Sequence, residues 1–95
     1  MILVLTHHWA KPDKVADARG LLDGNGLAQS RFGGFVSRQT LLSVTDRTKI
    51  TTLVTWRSNE DYDAWRASPE RATAMSGADE LWAQAPESER FNVAG

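Results

Sequence analysis

The pattern of apolar and amphipathic segments predicts an α+β chain in the order β-α-β-β-α-β, with one four-stranded antiparallel sheet and its helices on one side. Three observations carry this. The chain opens on a strand-like apolar run, Met1 to Trp9. Its middle holds two strand-like runs joined by a short turn, and a helical stretch with its own start signal lies on either side of that pair.

The first run is apolar on both alternating faces, as in a strand buried on two sides. Lys11-Pro12-Asp13 reads as a helix start, with Pro at the first helical position and an acid in the first turn. Val15, Ala18, Leu21 and Leu22 then recur at helical spacing. Gly24 and Gly26 each weaken a helix by ~1 kcal/mol relative to Ala, so a kink or break is expected there before Leu27 and Ala28 resume the apolar face. Gly33-Gly34 closes the segment.

Phe35 to Val44 and Lys49 to Arg57 read as strands, the second rich in Thr, Val and Ile. The turn Thr45-Asp46-Arg47 between them is short enough for an antiparallel hairpin. Ser58 caps the next helix, with Asp61 at its third position. Ser68-Pro69-Glu70 is a second cap-and-Pro start that bends this helical region, and Gly77 ends it. Asp79 to Gln84 reads as a short helical turn, Pro86 as a break, and Arg90 to Ala94 as a weak last strand.

Right-handed crossovers put strands one and three in the middle of the sheet, a ferredoxin-like arrangement with both helices on one face. Nothing in the chain covers the other face, where strand one is also apolar. A second copy related by a two-fold axis is the simplest cover, so a homodimer is expected.

Composition narrows the function. With 95 residues the chain is expected to form one domain over 1–95, and 41% hydrophobic with 24% charged residues is ordinary for a globular protein. A net charge of -1 lacks the basic excess of a general nucleic-acid binder. No cysteine is present, which excludes thiolate catalysis and Cys-based metal sites. The opening apolar run is too short to span a membrane and lacks the marks of a signal peptide, so a cytoplasmic protein with no membrane partner is expected. His7 and His8 alternate faces of one strand and no other ligand spacing accompanies them, so no metal site is expected. Four tryptophans (Trp9, Trp56, Trp65, Trp82) serve either as core filling or as walls of a flat apolar pocket.

The stretch from Leu53 to Glu70 carries a specific pattern: a strand ending in Trp56, then Ser58, an acidic run into a helix, Tyr62, and Trp65 nine residues after the first Trp, with Ser68-Pro69-Glu70 behind. It resembles the signature of the antibiotic-biosynthesis monooxygenase family, and the Gly34-Phe35 strand start and chain length fit as well. The resemblance implies a dimeric α/β barrel: a homodimer with a ligand cavity in each subunit, between sheet and helices. Some members oxidise polycyclic phenols or quinols with molecular oxygen and no cofactor; others bind and degrade heme. On the heme-degrading pattern a strand-one Asn falls on His7, a helix Trp on Trp65, and the ligating His on Met75, so two of three positions depart. On the quinol-oxidising pattern the strand-end Trp and helix Tyr fall on Trp56 and Tyr62, and an Asn four residues before that Trp is Thr52.

The expected function is therefore a cofactor-independent monooxygenase acting on an aromatic phenol or quinol; the alternative is a heme or small-hydrophobe binder on the same fold. His7 is the expected base, on the reading that Leu3, Leu5, His7 and Trp9 face the helices, since an imidazole titrating near ~6.5 suits proton abstraction at neutral pH. The other reading of His7 is a core histidine bonded to a helix carbonyl. Tyr62 is either a hydrogen-bond donor to a developing phenolate or superoxide, or a half-buried helix residue with a wet hydroxyl. Trp56 is either a ligand wall or hinge packing between strand and helix. Trp65, Thr52 and Met75 complete the expected substrate site for a small aromatic ligand.

Overall fold

Strand β1 (Ile2–Ala10) sits in the middle of the sheet and alternates between two environments. Ile2, Val4, His8 and Ala10 are buried, while Leu3, Leu5, His7 and Trp9 keep part of their surface open. The computed structural model describes residues 1–95 in the order β1, α1 (Val15–Ser30), β2 (Phe35–Leu42), β3 (Lys49–Trp56), α2 (Asn59–Arg66), α3 (Pro69–Ala74), a 3₁₀ turn (Ala78–Glu80) and β4 (Trp82–Asn92). The sheet order is β2-β3-β1-β4, and every pairing is antiparallel. The predicted α+β topology, with strands one and three central, is the one observed.

The register fixes which residues share a face. Val4 lies opposite Val54 and Arg90, and Thr6 opposite Thr52 and Ser88, so these residues point to one side with Ile50 and Trp56. That side carries the core. Ile2, Val4, Val54, Trp56 and Trp65 form one buried cluster, edged by Ala28, Phe32, Phe35 and Tyr62. Ala10, Ala18, Leu22 and Ile50 form a second. The rings meet mostly edge-to-face, as their quadrupoles favour: Phe32 and Phe35 stand at 76° and 87° to Trp56. The opposite side presents Leu3, Leu5, Leu41, Leu53 and Phe91 with no element over them.

Three expected boundaries move, each for a tertiary reason. Helix α1 begins at Val15, not at Pro12. The Lys11 N–H is held by the Leu81 carbonyl, and a separate turn closes from Lys14 N–H to Lys11 O before the helix starts. The helix also runs unbroken through Gly24 and Gly26. Arg38 from β2 crosses it there and donates to the Leu22 carbonyl at 2.9 Å and to Gln29 Oε1 at 2.5 Å. A Cβ at position 26 would stand 2.6 Å from Arg38 Nε, so this glycine makes room for the crossing.

The third change is at β4, which starts at Trp82 rather than Arg90 and contains Pro86. It is an edge strand, where a residue without an N–H is tolerated. Moreover His7 pairs with Glu87, Trp9 with Gln84 and Ala10 with Trp82, so β4 shifts register twice, first opposite His8 at Ala85-Pro86 and again next to Trp82. The two caps form as expected: Ser58 Oγ accepts from Asp61 N–H and Ser68 Oγ from Arg71 N–H, each at 3.1 Å. No helix is long and apolar enough to cross a membrane.

Candidate functional site

Between the sheet and the helices lies a hollow of about 350 Å³. The sheet contributes its floor through Val4, Thr6, His8, Thr52 and Val54. Helix α1 gives one wall through Leu22, Asn25 and Gln29, and the α2–α3 region the other through Tyr62, Trp65 and Met75. Pro86, Ser88 and Arg90 of β4 line the open edge, with Arg66 and Arg71 across from them.

Of the expected site residues, Tyr62, Trp65, Thr52 and Met75 line this hollow together. Trp56 does not. It is fully buried behind the wall, stacked on Trp65 at 6.2 Å and tilted against Tyr62 at 5.9 Å, and its indole N–H has no partner. It backs the rings that face the hollow, which is the packing alternative.

The placement expected for His7 is corrected. His7 lies on the open face of the sheet, with Nδ1 2.8 Å from the Thr51 hydroxyl and its ring 6.0 Å from Trp9. His8 takes the position inside the hollow. Both faces of β1 are apolar, so alternation alone did not choose between them; the helices cover the face of Ile2, Val4 and Ala10.

His8 is 6% exposed and its ring packs on Trp82 at 5.2 Å. Its Nδ1 is 3.2 Å from the Ile50 carbonyl. A carbonyl only accepts, so Nδ1 carries the proton and Nε2 keeps the lone pair. Burial pushes the imidazole below its ordinary value, with the hydrogen bond to Ile50 opposing and the charges of Arg38 and His7 assisting. His8 is thus held as a neutral base with one fixed tautomer.

The amides were missed by the sequence reading. Asn25 and Gln29 are 8% and 5% exposed, on the same stripe of α1 as Ala18 and Leu22. Gln29 is anchored by Arg38, whose guanidinium is pulled below its ordinary value by burial. Asn25 Oδ1 is buried without a partner, an open acceptor in a residue that lines the hollow. The available signal was positional: two amides continue an apolar stripe at 18, 22, 25 and 29, where a polar group is retained only for a reason.

At the rim, Arg90 pairs with Asp63 at 2.7 Å and lies 4.7 Å over the Tyr62 ring. This ties the edge strand to α2 across the opening and holds the ring in place.

A sequence profile described as antibiotic biosynthesis monooxygenase matches residues 1–77. The chain belongs to the antibiotic biosynthesis monooxygenase family. The resemblance read from Leu53 to Glu70 is met over most of the chain. Solved structures of the same shape include a Nitrosomonas europaea protein whose name places it in this family, with 16% identity, full coverage of both chains and a TM-score of 0.90. Rv0793 from Mycobacterium tuberculosis is similar at 19% identity, covering 99% of this chain and 95% of its own, with a TM-score of 0.89. SnoaB from Streptomyces nogalater, a cofactor-independent oxygenase, is similar at 13% identity, covering 99% and 93%, with a TM-score of 0.89. At these identities the likeness is one of fold. No curated protein matches the chain in sequence.

The helix-borne imidazole of the heme-degrading pattern is missing, and the one imidazole in the hollow is His8, on the sheet floor. Met75 stands where the family pattern puts the ligating His, and the hollow is lined by hydroxyls and buried amides as well as apolar side chains.

Proposed function

We propose that this family member is an oxygenase that uses molecular oxygen and no bound cofactor to oxidise an aromatic phenol or quinol, working as a two-fold homodimer with one hollow in each protomer. The observation that carries the reading is His8: a buried, neutral imidazole of fixed tautomer that shares its hollow with Tyr62 and Trp65. SnoaB, of the same fold, is named for this kind of reaction.

The chemistry asks little of the protein. His8 Nε2 takes the phenolic proton, and the electron-rich anion passes one electron to oxygen. The aryloxyl radical and superoxide combine at ring carbon, and the hydroperoxide loses water. One oxygen atom stays as a carbonyl, the other leaves as water, and the substrate carbon supplies the electrons. Trp65 and the apolar walls hold the radical pair together and exclude solvent. Tyr62 donates a hydrogen bond to the charge that develops on oxygen.

Oxygen uptake with an anthrone substrate under air tests this. His8→Asn keeps an amide donor for the Ile50 carbonyl but removes the base, and is expected to lower kcat by ~10²–10⁴-fold. His7→Ala is expected to leave the rate near that of the unaltered protein. Equal uptake by the His8 variant removes His8 from the mechanism, and no uptake above buffer by the unaltered protein removes the oxygenase. Hemin is expected to give no saturable Soret shift; a saturable shift lost in Met75→Ala or His8→Asn would put a heme binder in its place.

A further inference from the structure

Arg38 is a half-buried cation with no carboxylate within 4 Å; the ion pairs of the chain are Arg19 with Asp23 and Arg90 with Asp63. A charge drawn out of water is normally paired. This one instead gives its donors to the Leu22 carbonyl, inside α1, and to the side-chain amide of Gln29. What that contact specifies is the direction of the amide. A guanidinium only donates, so the atom of Gln29 that faces it is Oε1, and Nε2 points the other way. Gln29 is buried and lines the hollow, whereas Arg38 does not line it. The polar atoms sealed off without a partner are Asn25 Oδ1 and Trp56 Nε1. Gln29 Nε2 is not one of them and donates to no protein group, so it is an N–H donor open to the hollow.

The sheet register locates this donor. Arg38 lies opposite Val54, and Val54 opposite Val4. Arg90 also lies opposite Val4 and covers the Tyr62 ring at 4.7 Å. Gln29 and Tyr62 therefore flank the same rung of the sheet from opposite walls. His8 lies four residues further along β1, roughly 13 Å of extended chain. The proton acceptor and the two donors sit at opposite ends of the hollow. A ring system whose phenolic oxygen meets His8 turns its far carbons toward Gln29 and Tyr62.

We propose that Gln29 is a catalytic hydrogen-bond donor and Arg38 the positioning residue that aims it: the Gln29 side-chain N–H, across from Tyr62, holds the superoxide formed when the bound anion passes one electron to oxygen. This rests on the oxygenase reading of the hollow. Dioxygen is a poor hydrogen-bond acceptor and superoxide a strong one, so the donor acts on the transition state and not on the binding of the aromatic. An amide that is already aimed needs no reorganisation as the charge appears, and it carries no proton that competes with His8. The glycine at position 26 belongs to the same device, because a Cβ there would push Arg38 off Gln29.

Oxygen-uptake kinetics with the anthrone, on variants shown by circular dichroism to be folded, test this. Gln29→Glu keeps an acceptor for Arg38 and removes only the N–H donor; it is expected to lower kcat by ~10²-fold or more while KM for the anthrone holds. Gln29→Met removes the donor without adding a charge and is expected to lose as much. Arg38→Met frees the amide to turn and should cost a smaller part of kcat. Because Arg38 acts through Gln29, the Gln29→Met/Arg38→Met double variant should be no slower than Gln29→Met alone. An unchanged kcat in the two Gln29 variants, a loss confined to KM, or losses that add in the double variant would each overturn the proposal. No uptake by the unaltered protein would retire the oxygenase and this role with it; uptake that survives both Gln29 substitutions would retire the role and keep the oxygenase.

Discussion

A single alternation decides which histidine can act. His7 and His8 are adjacent, and only the face chosen by the helices separates an imidazole under α1 from one on the open sheet. The sequence made a histidine at the end of strand one legible, but not its direction, because Leu3, Leu5 and Trp9 are as apolar as Ile2, Val4 and Ala10. The roles of Tyr62 and Trp65 as lining residues were legible, because helical spacing puts them on one face. Trp56 was not, since a ring behind a wall and a ring in the wall have the same sequence signature. The environment of His8 has a measurable consequence. Burial lowers its pKa in the folded protein below the ~6.5 of an unfolded chain. A base must be deprotonated to work, so kcat/KM on the anthrone is expected to stay level down to pH ~6.5 and to fall only at lower pH. The same shift acts on stability. Between the two pKa values the unfolded chain binds more protons, so stability is full above pH ~6.5 and declines as pH drops toward the folded-state value. Urea midpoints at pH 7.5 and 5.5 check this: the loss at the lower pH should shrink in His8→Asn. A loss unchanged by that substitution would assign the effect to other groups.

The elements were legible where local chemistry governs and illegible where another element intervenes. The serine caps of α2 and α3 and the β2–β3 hairpin follow from residues within a few positions of each other; Asp46, for instance, accepts from both the N–H and the hydroxyl of Thr48 in the turn. The length of β4 does not, because an edge strand holding Pro86 forms only once β1 is in place to pair with it. The continuity of α1 does not either, because Arg38 arrives from β2. The two glycines of α1 therefore separate in a way that sequence alone would not suggest. A Cβ at Gly24 meets nothing within 4 Å, whereas one at Gly26 runs into a guanidinium fixed by two hydrogen bonds. Gly24→Ala is expected to stabilise the protein by about 0.4–1 kcal/mol, raising Tm by several degrees in a chain of this size. Gly26→Ala gains the same helical preference but must displace Arg38 from Leu22 and Gln29, and is expected to lower Tm. Thermal melts of the two variants decide; equal rises would mean that Arg38 yields at little cost.

At the scale of the whole molecule, the sheet is a wall with one side furnished. The helices, both core clusters and the hollow lie on one face, and Leu3, Leu5, Leu41, Leu53 and Phe91 lie on the other. Leu41 and Phe91, on the two edge strands, are 44% and 41% exposed and bound an apolar surface that a lone chain would hold in water. Contiguous apolar area of this kind is uncommon on monomers, and a two-fold axis lets one patch cover its own copy. Leu5 and Leu53 face each other across the β1–β3 ladder near the middle of that patch, so they are the residues to change. Sedimentation equilibrium is expected to give twice the 10.5 kDa of one chain. Leu5→Lys or Leu53→Lys should shift the protein to the mass of a single chain, because a buried ammonium without a partner costs several kcal/mol at the interface. The helix-side face is untouched by either change, so a variant that stays folded as a monomer would retain the hollow and report whether the site works alone. A well-folded single chain at every concentration in the unaltered protein would instead leave the greasy side of the sheet without its twin, and with it the barrel that the family resemblance implies.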